Sequence, residues 1–380
     1  MDLRGKKAIV AVISDLVTDQ RVHRTCVALR GEGAVVTLVG RKLPGSLSPG
    51  SRAYRTVRFR LPFTKGPLMY AAFNIRLFLY LLFRHFDFLV ANDLDTLPAA
   101  YLASRLKRKP LLYDSHEFFT EVPELVGRPR VQRIWRGIER RIFPSLKSVM
   151  TVNGSIAQLY TERYGNHVHI VRNIPLSDTF GEQDVYLTRS RSDFSLPEDR
   201  TIFLLQGAGI NVHRGAEEAV EAMLQVDKGL LLIVGGGDVL EQLKKTVTKL
   251  RLDDKVMFLP KMPPAALRKL TRLADFGLTL DKDTNLNYRF SLPNKLFDYI
   301  HAGIPVIASD LPEIRRIVEG YGIGTILPAV DPRTLAETMN RLCAGGPAVQ
   351  EWKRNLQKAS AELTWENERA HLLQAVKDAF

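Results

Sequence analysis

The densest group of residues able to do chemistry lies at positions 287–313, where the sequence reads NYRFSLPNKLFDYIHAGIPVIASDLPE. Ser291 or Leu292 is predicted to cap a helix that carries Pro293 in its first turn, because proline favours the start of a helix. The free backbone N–H groups of that turn and the helix dipole attract anions. Lys295 lies in the same turn, where a cation opposes the dipole. A bound phosphate would explain its presence.

A carboxylate follows this predicted anion site at helical spacing. Asp298 lies three residues after Lys295, and residues three apart share one side of a helix. A carboxylate just beyond a phosphate suits paired hydroxyls, such as those of a ribose. The alternative is an ordinary helix cap with a surface ion pair between these two side chains, and both interpretations stay open.

Two glycine-rich stretches follow apolar runs in the second half. In GAGINVHRG (207–215), Gly207 and Gly209 would let a phosphate approach the backbone, and Arg214 could hold a diphosphate through two hydrogen bonds. The alternative is a tight turn with a solvent-facing arginine. The stretch VGGGDVLEQLK (234–244) is a similar turn, for which close packing of helix on strand is an equally good interpretation.

The first half offers two further candidate stretches. YDSHEFF (113–119) follows a predicted strand, so His116 and Glu117 are expected at the mouth of a ligand site, where a histidine can donate to a sugar hydroxyl or a phosphate. An ordinary loop histidine is the alternative. SDLVTDQRVHR (14–24) also follows a strand and offers an acceptor contact or, equally, a capping and ion-pair cluster through Asp15, Thr18, Asp19 and Arg21.

Alternating strands and helices must position these residues. Apolar runs predict strands at 8–13, 35–40, 87–93, 110–115, 147–153 and 168–173, and again at 201–207, 230–237, 255–260, 276–281 and 305–309. Amphipathic stretches between them predict helices. The pattern predicts two doubly wound, Rossmann-like parallel-sheet domains of the α/β class that face a cleft. Ligands of such sheets bind beyond the carboxyl ends of the strands. The polar stretch 175–199 is the predicted boundary.

Composition excludes several classes of protein. The 380 residues include only two cysteines, which excludes a disulfide framework and a cysteine-rich metal site. The histidines lack metal-binding spacing, and the aspartate pairs at 93 and 95 and at 281 and 283 are weak signals, so no metal is expected. A P-loop pattern and a GxGxxG after the first strand are both missing, which argues against a P-loop NTPase and a simple dehydrogenase.

The net charge of +13 is concentrated in the first half. Residues 1–172 hold 28 basic and 13 acidic residues, whereas residues 173–380 hold 26 and 28. The segment 128–141 carries four arginines near one helical face, and 67–84 is rich in Phe, Leu and Tyr but too interrupted to span a bilayer. Together they suggest a peripheral surface for an anionic membrane. The alternative is a buried helix with a solvated basic face.

The segment SLPNKLFDYIHAGIPVIASDLPE resembles the donor-site region of two-domain (GT-B) glycosyltransferases, especially the large retaining family that uses nucleotide-sugar donors. Other landmarks keep the same order: DxHE at 114–117, Asn173 after a strand, Arg214 followed by glycine, and a C-terminal Trp-Glu pair at 365–366. The stretches SDLVTDQRVHR and GRKLPGS resemble a bacterial subgroup that builds surface polysaccharides. The resemblance covers nearly the full chain.

The resemblance implies roles for individual residues. Arg214 and Lys295 would bind the donor diphosphate and act in catalysis, together with His116, which would contact the transferred sugar. Asp298 would hold the ribose hydroxyls. The remaining implied contacts are Gly207, Gly209 and Ser291 to the diphosphate, Met262 at the border of the base, and Asp15, Asp19, Arg21 and Glu117 on the acceptor side.

The sequence departs from the family pattern at its paired glutamates. The first glutamate falls at Phe290 and the second at Asp298. The acidic group near the sugar is therefore missing or supplied elsewhere, for which Asp283 is a candidate.

The resemblance also implies an organisation and a reaction. An acceptor-side domain would span 1–174 and a donor-binding domain 175–362, with the helix 363–380 packed back on the first. The expected activity is metal-independent and retaining hexosyl transfer, with the nucleotide sugar as substrate and no cofactor. The acceptor would be a glycan or a polyprenyl-diphosphate-linked glycan, in the cytoplasm or on the inner face of its membrane. An epimerase or a non-catalytic relative is the alternative, and no nucleic-acid partner is expected.

Overall fold

The computed structural model describes residues 2–17, 19–176 and 190–380. The chain forms two compact units, of which the first comprises Met1–Asn173 with Glu366–Phe380 and the second comprises Ile174–Trp365. The predicted boundary stretch 175–199 lies partly outside the described residues, as does the candidate residue Thr18.

Seven strands form the sheet of the first unit: β1 (Lys7–Ala11), β2 (Val35–Arg41), β3 (Arg55–Phe59), β4 (Phe88–Asn92), β5 (Leu111–Ser115), β6 (Ser148–Thr151) and β7 (Val168–Ile170). All pair in parallel, in the order β3-β2-β1-β4-β5-β6-β7. The central strands β4 and β5 are buried along their whole length, as expected for continuous apolar runs. Their register sets Asn92 beside Asp114 at the carboxyl edge.

Helices connect these strands: α1 (Gln20–Gly31), α2 (Pro67–Leu82), α3 (Leu97–Lys107), α4 (Pro123–Val126), α5 (Pro129–Ile142) and α6 (Gly154–Tyr164). Side-chain caps begin two of them. The Asp19 carboxylate accepts from the backbone N–H of Val22 at the start of α1, and the Asn153 side chain accepts from the N–H of Ile156 at the start of α6.

Six strands form the sheet of the second unit: β8 (Thr201–Gly207), β9 (Gly229–Gly235), β10 (Val256–Pro260), β11 (Phe276–Thr279), β12 (Val306–Ser309) and β13 (Gly324–Leu327). They are parallel in the order β10-β9-β8-β11-β12-β13. Along β8, Phe203 and Leu205 enter the core on one face of the sheet, and Leu204 enters the core on the other. Because β8 and β11 are neighbours, the loops that follow them emerge side by side.

The helices of this unit are α7 (Ala216–Ala222), α8 (Leu240–Leu250), α9 (Pro264–Thr271), α10 (Leu286–Arg289), α11 (Asn294–Ala302), α12 (Pro312–Tyr321), α13 (Pro332–Cys343) and α14 (Pro347–Glu362). The prediction that Ser291 or Leu292 caps the helix is wrong. Pro293 is the N-cap, with extended backbone dihedrals of −73° and 140°, and α11 begins at Asn294. The ψ of Pro293 lies outside the helical region, so this proline precedes the first turn and the cap falls one residue later than predicted.

The last helix, α15 (Trp365–Asp378), packs on the first unit. The Ser148 hydroxyl donates to the carbonyl of Ala375 at 2.7 Å, and Arg172 donates to the buried carboxylate of Glu368 at 2.8 Å. The end of the chain thus closes the face of the sheet near β6 and β7.

The predicted fold class, two Rossmann-like parallel sheets of the α/β class, is confirmed. Within the described parts of the chain, no helix combines the length and the apolar character that are needed to cross a membrane.

Candidate functional site

A close backbone contact positions the first functional side chain of the second unit. Gly215 precedes α7 with a φ of +75°, and a Cβ atom there would collide with the backbone and side chain of Leu280, just beyond β11. Only glycine fits this approach. The contact brings Arg214 next to Asp281, the residue that follows Leu280.

Arg214 and Lys295 meet at one carboxylate. The Nη1 of Arg214 donates to the Oδ1 of Asp281 at 2.7 Å, and the Nζ of Lys295 lies 3.8 Å from the Oδ2 of Asp281. The Asp281 side chain is fully buried. The guanidinium of Arg214 also lies over the ring of Tyr288, 4.6 Å from its centroid. The structure therefore brings together the two cations predicted to bind a diphosphate, although 81 residues separate them in the chain.

Burial and neighbouring charges shift the pKa of both cations. Burial lowers the pKa of Lys295, the charge of Arg214 lowers it further, and Asp281 opposes both effects. Burial also disfavours the charge of Arg214, but Asp281 and Tyr288 outweigh it and raise the pKa of that guanidinium. Two partly buried positive groups attract a multiply charged anion more strongly than fully solvated ones do.

Several buried polar atoms around this cluster have no hydrogen-bond partner among the described residues. They include the Nε of Arg214, the Oγ of Ser291 and the Oδ2 of Asp281. Buried polar groups are nearly always hydrogen-bonded in folded proteins. The N–H and O–H donors of Arg214 and Ser291 are of the kind that phosphate oxygens accept, so the donor set fits a diphosphate.

The glycine turn after β9 has a packing role. The N–H of Gly236 donates to the carbonyl of Gly207 at 3.2 Å, the N–H of Ile210 donates to the carbonyl of Gly236 at 2.7 Å, and a Cβ on Gly237 would overlap the backbone of Ile210. This is the packing interpretation of the stretch 234–244. A Cβ at Gly207 or Gly209 would make only ordinary contacts. The approach of a ligand to those two glycines stays a prediction.

Asp298 lies on α11, near the end of β8. Its Oδ2 accepts from the Nε2 of Gln206 at 3.0 Å, and the Oε1 of Gln206 accepts from the Thr271 hydroxyl at 2.8 Å. The carboxylate is thus oriented by a buried relay, which suits a group that must present an oxygen to a ligand. Met262 is partly buried against the core of the same unit. The predicted contacts of Asp298 with a ribose and of Met262 with a base stay predictions.

Asp283, the candidate substitute for the missing acid, forms an exposed ion pair with Arg289 at 2.8 Å.

In the first unit, His116 lies between two carboxylates at the carboxyl edge of the sheet. Its Nδ1 is 3.2 Å from the Oδ2 of Asp93, and its Nε2 is 3.3 Å from the Oδ2 of Asp114 and 3.1 Å from the Oδ1 of Asn92. Both ring nitrogens therefore already have partners in the protein. To contact a sugar as predicted, His116 would have to give up one of these partners or share a ring N–H between a partner and the sugar.

The charges of His116 and Asp114 stabilise each other. Burial disfavours the imidazolium, but Asp93 and Asp114 outweigh burial and raise the pKa of His116 to about 9. Burial likewise disfavours the charge of Asp114, but Arg21 and His116 lower the pKa of its carboxyl to about 2. At neutral pH His116 is therefore a cation and a donor through both ring nitrogens.

Among the acceptor-side candidates, Asp19 caps a helix and Arg21 forms an ion pair. The buried guanidinium of Arg21 donates to Asp114 at 2.6 Å and to the carbonyl of Val171 at 2.7 Å. Asp19 caps α1, the Asp15 carboxylate accepts from Ser46 at 3.2 Å, and Glu117 is exposed. Contact with an acceptor stays a prediction for all four.

Asp281 is the member of this candidate cluster that the sequence analysis missed, because it was considered only as a possible metal ligand. Its position directly after an apolar strand was the available signal, since carboxyl ends of parallel strands carry ligand sites. Among the described residues, no group of three or more His, Cys, Asp or Glu side chains could hold a metal ion.

Two family models match the chain. The model of Glycosyltransferase Family 4 matches residues 19–174, and the model of Glycosyl transferases group 1 matches residues 187–359. Together they span most of the sequence, one in each unit. A search of curated proteins found no match.

Solved structures share the fold at low sequence identity. Sucrose-phosphate synthase from Thermosynechococcus elongatus is 19% identical with a TM-score of 0.78, and 98% of each chain is covered. Anabaena HepE, solved in complex with UDP and glucose, is 15% identical with a TM-score of 0.72, over 98% of this chain and 99% of that one. WaaG, a glycosyltransferase involved in lipopolysaccharide biosynthesis, is 14% identical with a TM-score of 0.70, over 96% and 97%.

The resemblance seen in the sequence is thereby confirmed at the level of the family, and the chain belongs to the GT-B glycosyltransferases.

Proposed function

We propose that this glycosyltransferase moves a hexose from a nucleoside-diphosphate sugar to a glycan or to a polyprenyl-diphosphate-linked glycan. The observation that carries the proposal is the cluster of Arg214 and Lys295 around the buried carboxylate of Asp281, together with the buried, unpartnered hydroxyl of Ser291 four residues before Lys295. HepE, which shares the fold, has been solved with UDP and with UDP-glucose. That likeness supports a nucleotide sugar as the donor of this chain as well.

The proposed mechanism relies on charge that develops on the leaving group. As the bond from the sugar to the diphosphate breaks, the sugar becomes oxocarbenium-like and negative charge grows on the diphosphate. Arg214 and Lys295 would stabilise that charge, with the Ser291 O–H as a further donor. Because the chain supplies these donors itself, we propose that the reaction needs no metal ion. Removing one such donor typically costs about 2.7–4 kcal/mol, which is roughly 100- to 1000-fold in rate.

Retention of configuration is part of the proposal and rests on the family resemblance alone. The residue in the place of the first family acid is Phe290. The oxygen of the leaving phosphate on the same face of the sugar is then the base that would accept the proton of the acceptor hydroxyl.

Two other functions compete with the transferase: that of an epimerase and that of a binding protein without activity. Both would bind a nucleotide sugar at the same cluster, so binding alone does not separate them from a transferase. A panel of nucleotide sugars, scanned by thermal unfolding, would first identify the donor. Release of the nucleoside diphosphate is then measured with and without lipid-linked or free glycan acceptors. A transferase shows release that depends on the acceptor. An epimerase converts the sugar without an acceptor, and a binding protein leaves the donor intact.

We further propose that the first unit lies on an anionic membrane, on its cytoplasmic face. The outer face of α2 carries an exposed apolar stripe of Leu68, Ile75, Leu79, Leu82 and Phe83. Helix α5 is its neighbour, because Tyr70 and Trp135 make an edge-on ring contact at 5.3 Å.

The charge beside this stripe favours an anionic bilayer as the occupant. Arg133, Arg136 and Arg140 of α5 line a groove with Arg163 and Tyr164. Ile134, on the same helix, is 63% exposed. Apolar side chains that enter the bilayer, together with arginines at the level of the head groups, are the pattern of a peripheral membrane protein.

A further inference from the structure

Asp281 carries one negative charge between two positive ones. It follows β11, whereas Arg214 comes from the loop before α7 and Lys295 from the first turn of α11. Its side chain is fully buried, so water does not solvate this carboxylate, whereas Arg214 is 29% exposed. The phenol of Tyr288, on α10, and that of Tyr299, on α11, are the other titratable groups whose charges interact with this cluster.

The two oxygens of Asp281 are used unequally. Oδ1 is 2.7 Å from the Nη1 of Arg214, which is a short, charge-assisted hydrogen bond. Oδ2 is 3.8 Å from the Nζ of Lys295, which is too long for a hydrogen bond, and this oxygen has no other partner among the described residues. The guanidinium is therefore fixed, whereas the ammonium is attracted but keeps its hydrogen-bond donors for another acceptor.

Without this carboxylate the two cations would repel each other, and Lys295, which is only 11% exposed, would gain little from water. A buried cation that has lost its partner either moves towards solvent or gives up its proton. Arg214 retains its proton under all ordinary conditions, so Lys295 is the group that would become neutral.

We propose that Asp281 is a positioning residue for the transfer reaction, which orients the guanidinium of Arg214 through one oxygen and keeps the ammonium of Lys295 charged and available through the other. The proposal rests on the proposed function for the identity of the ligand, a nucleoside diphosphate. In the free protein, the carboxylate of Asp281 is the anion that faces Lys295. During the reaction, the leaving diphosphate takes its place as the partner of Lys295.

The first test measures the charge of Lys295 without any nucleotide. The full chain and its Asp281→Asn variant are treated with acetic anhydride between pH 6 and pH 10, and acetylation of the Lys295 peptide is quantified by mass spectrometry. Lys358, which is 76% exposed, serves as the internal reference. The matched control is Glu337→Gln, which removes a carboxylate from an exposed ion pair on α13.

The expected result is a shift of the Lys295 labelling curve to lower pH in Asp281→Asn, with at least a threefold rise in labelling at pH 7.5 and no shift in the control. An unshifted curve would overturn the proposal. So would labelling that rises by the same factor at every pH, because that behaviour reports an opened structure instead of a changed charge.

A second variant covers the case in which Asp281→Asn does not fold. Arg214→Gln removes the cation that repels Lys295, so that Asp281 interacts with Lys295 only. The acetylation curve of Lys295 should therefore move to higher pH. Movement to lower pH, or none, would contradict the proposal.

The last readout is turnover of the identified donor. Asp281→Asn should lower kcat at least tenfold at pH 8, with a loss that is smaller at pH 6.5, and should change the Kd of the nucleoside less than twofold. Equal losses of kcat at both pH values would speak against positioning. If the wild type neither binds nor turns over any nucleotide sugar, the proposed function fails, whereas the labelling curves still decide the role of Asp281.

Discussion

At the scale of single residues, the charge of His116 ties the stability of the first unit to pH. The imidazolium lies between Asp93 and Asp114, with 17% of its side chain exposed. Its pKa of about 9 in the folded protein is above the ordinary value of 6.5. The stabilising contribution is therefore fully present below pH 6.5 and is lost as pH rises towards 9.

We predict that His116→Gln destabilises the protein most in mildly acidic solution. The difference in free energy of unfolding between wild type and variant should be on the order of 2–3 kcal/mol near pH 6 and should shrink by about pH 9.5. Denaturant unfolding at both pH values measures it, and the comparison of two proteins removes the titration of groups that do not interact with His116. A difference that stays constant, or grows with pH, would show that His116 is neutral in the folded protein.

The candidate cations could be predicted from the sequence because each follows a local pattern that permits few roles. Lys295 lies in the first turn of a helix, and Arg214 lies between a glycine-rich loop and a helix. Asp281 could not be predicted, because its role exists only through the neighbourhood of β8 and β11, which is a property of the sheet order. The partners of His116 could not be predicted for the same reason, since Asn92 and Asp114 reach its ring from neighbouring strands.

At the scale of elements, the loop that joins β8 to α7 depends on one glycine. Gly215 combines a φ of +75° with direct contact against Leu280, whereas Gly303, at the end of α11, has a φ of +74° but open space around it. The two positions therefore separate the cost of the backbone conformation from the cost of the contact.

We predict that Gly303→Ala lowers the free energy of unfolding by about 1–2 kcal/mol, which is the strain of a left-handed residue. Gly215→Ala should cost about 1–3 kcal/mol more, because its Cβ displaces Leu280. The same variant should weaken nucleotide binding, since Arg214 and Asp281 flank this contact. Equal losses of stability for both variants would mean that the contact of Gly215 with Leu280 does not constrain the loop.

The sequence predicted every central strand and two of the four edge strands, β7 and β10. Continuous apolar runs such as FLVAN and GLLLIVG occur only where a strand is buried on both faces. The other two edge strands, β3 and β13, were missed because RTVRF and GTIL are only partly buried and contain no continuous apolar run. Local composition carries little information about strands that bury one face.

At the scale of the whole molecule, the uneven charge of the chain has a consequence for its partners. The first 172 residues hold 28 basic and 13 acidic side chains, and in that part helix α2, which carries the apolar stripe, contacts the arginine-rich helix α5. Charge attracts a protein to an anionic surface over a Debye length of about 8–10 Å, and apolar contact holds it there.

We predict that the protein sediments with vesicles that contain phosphatidylglycerol at low salt, and much less with phosphatidylcholine vesicles or at 0.5 M salt. Arg133→Gln with Arg140→Gln should weaken binding about tenfold or more, at about 1 kcal/mol per arginine. Ile75→Asn with Leu79→Asn should weaken it as well. Leu224→Asn, which replaces a similarly exposed leucine of the second unit, is the matched control. Failure of the wild type to bind anionic vesicles at low salt would refute the membrane proposal.

The central claim is that Arg214, Lys295 and the start of α11 form a site for the diphosphate of an activated sugar. Titration calorimetry with the nucleoside diphosphate and monophosphate of the preferred base tests it most directly, on the wild type and on Lys295→Ala. The wild type should bind the diphosphate at least tenfold more tightly than the monophosphate, and Lys295→Ala should lose most of that preference while its thermal unfolding stays close to that of the wild type. Equal affinity of the wild type for both nucleotides, or an undiminished preference in the variant, would contradict the claim.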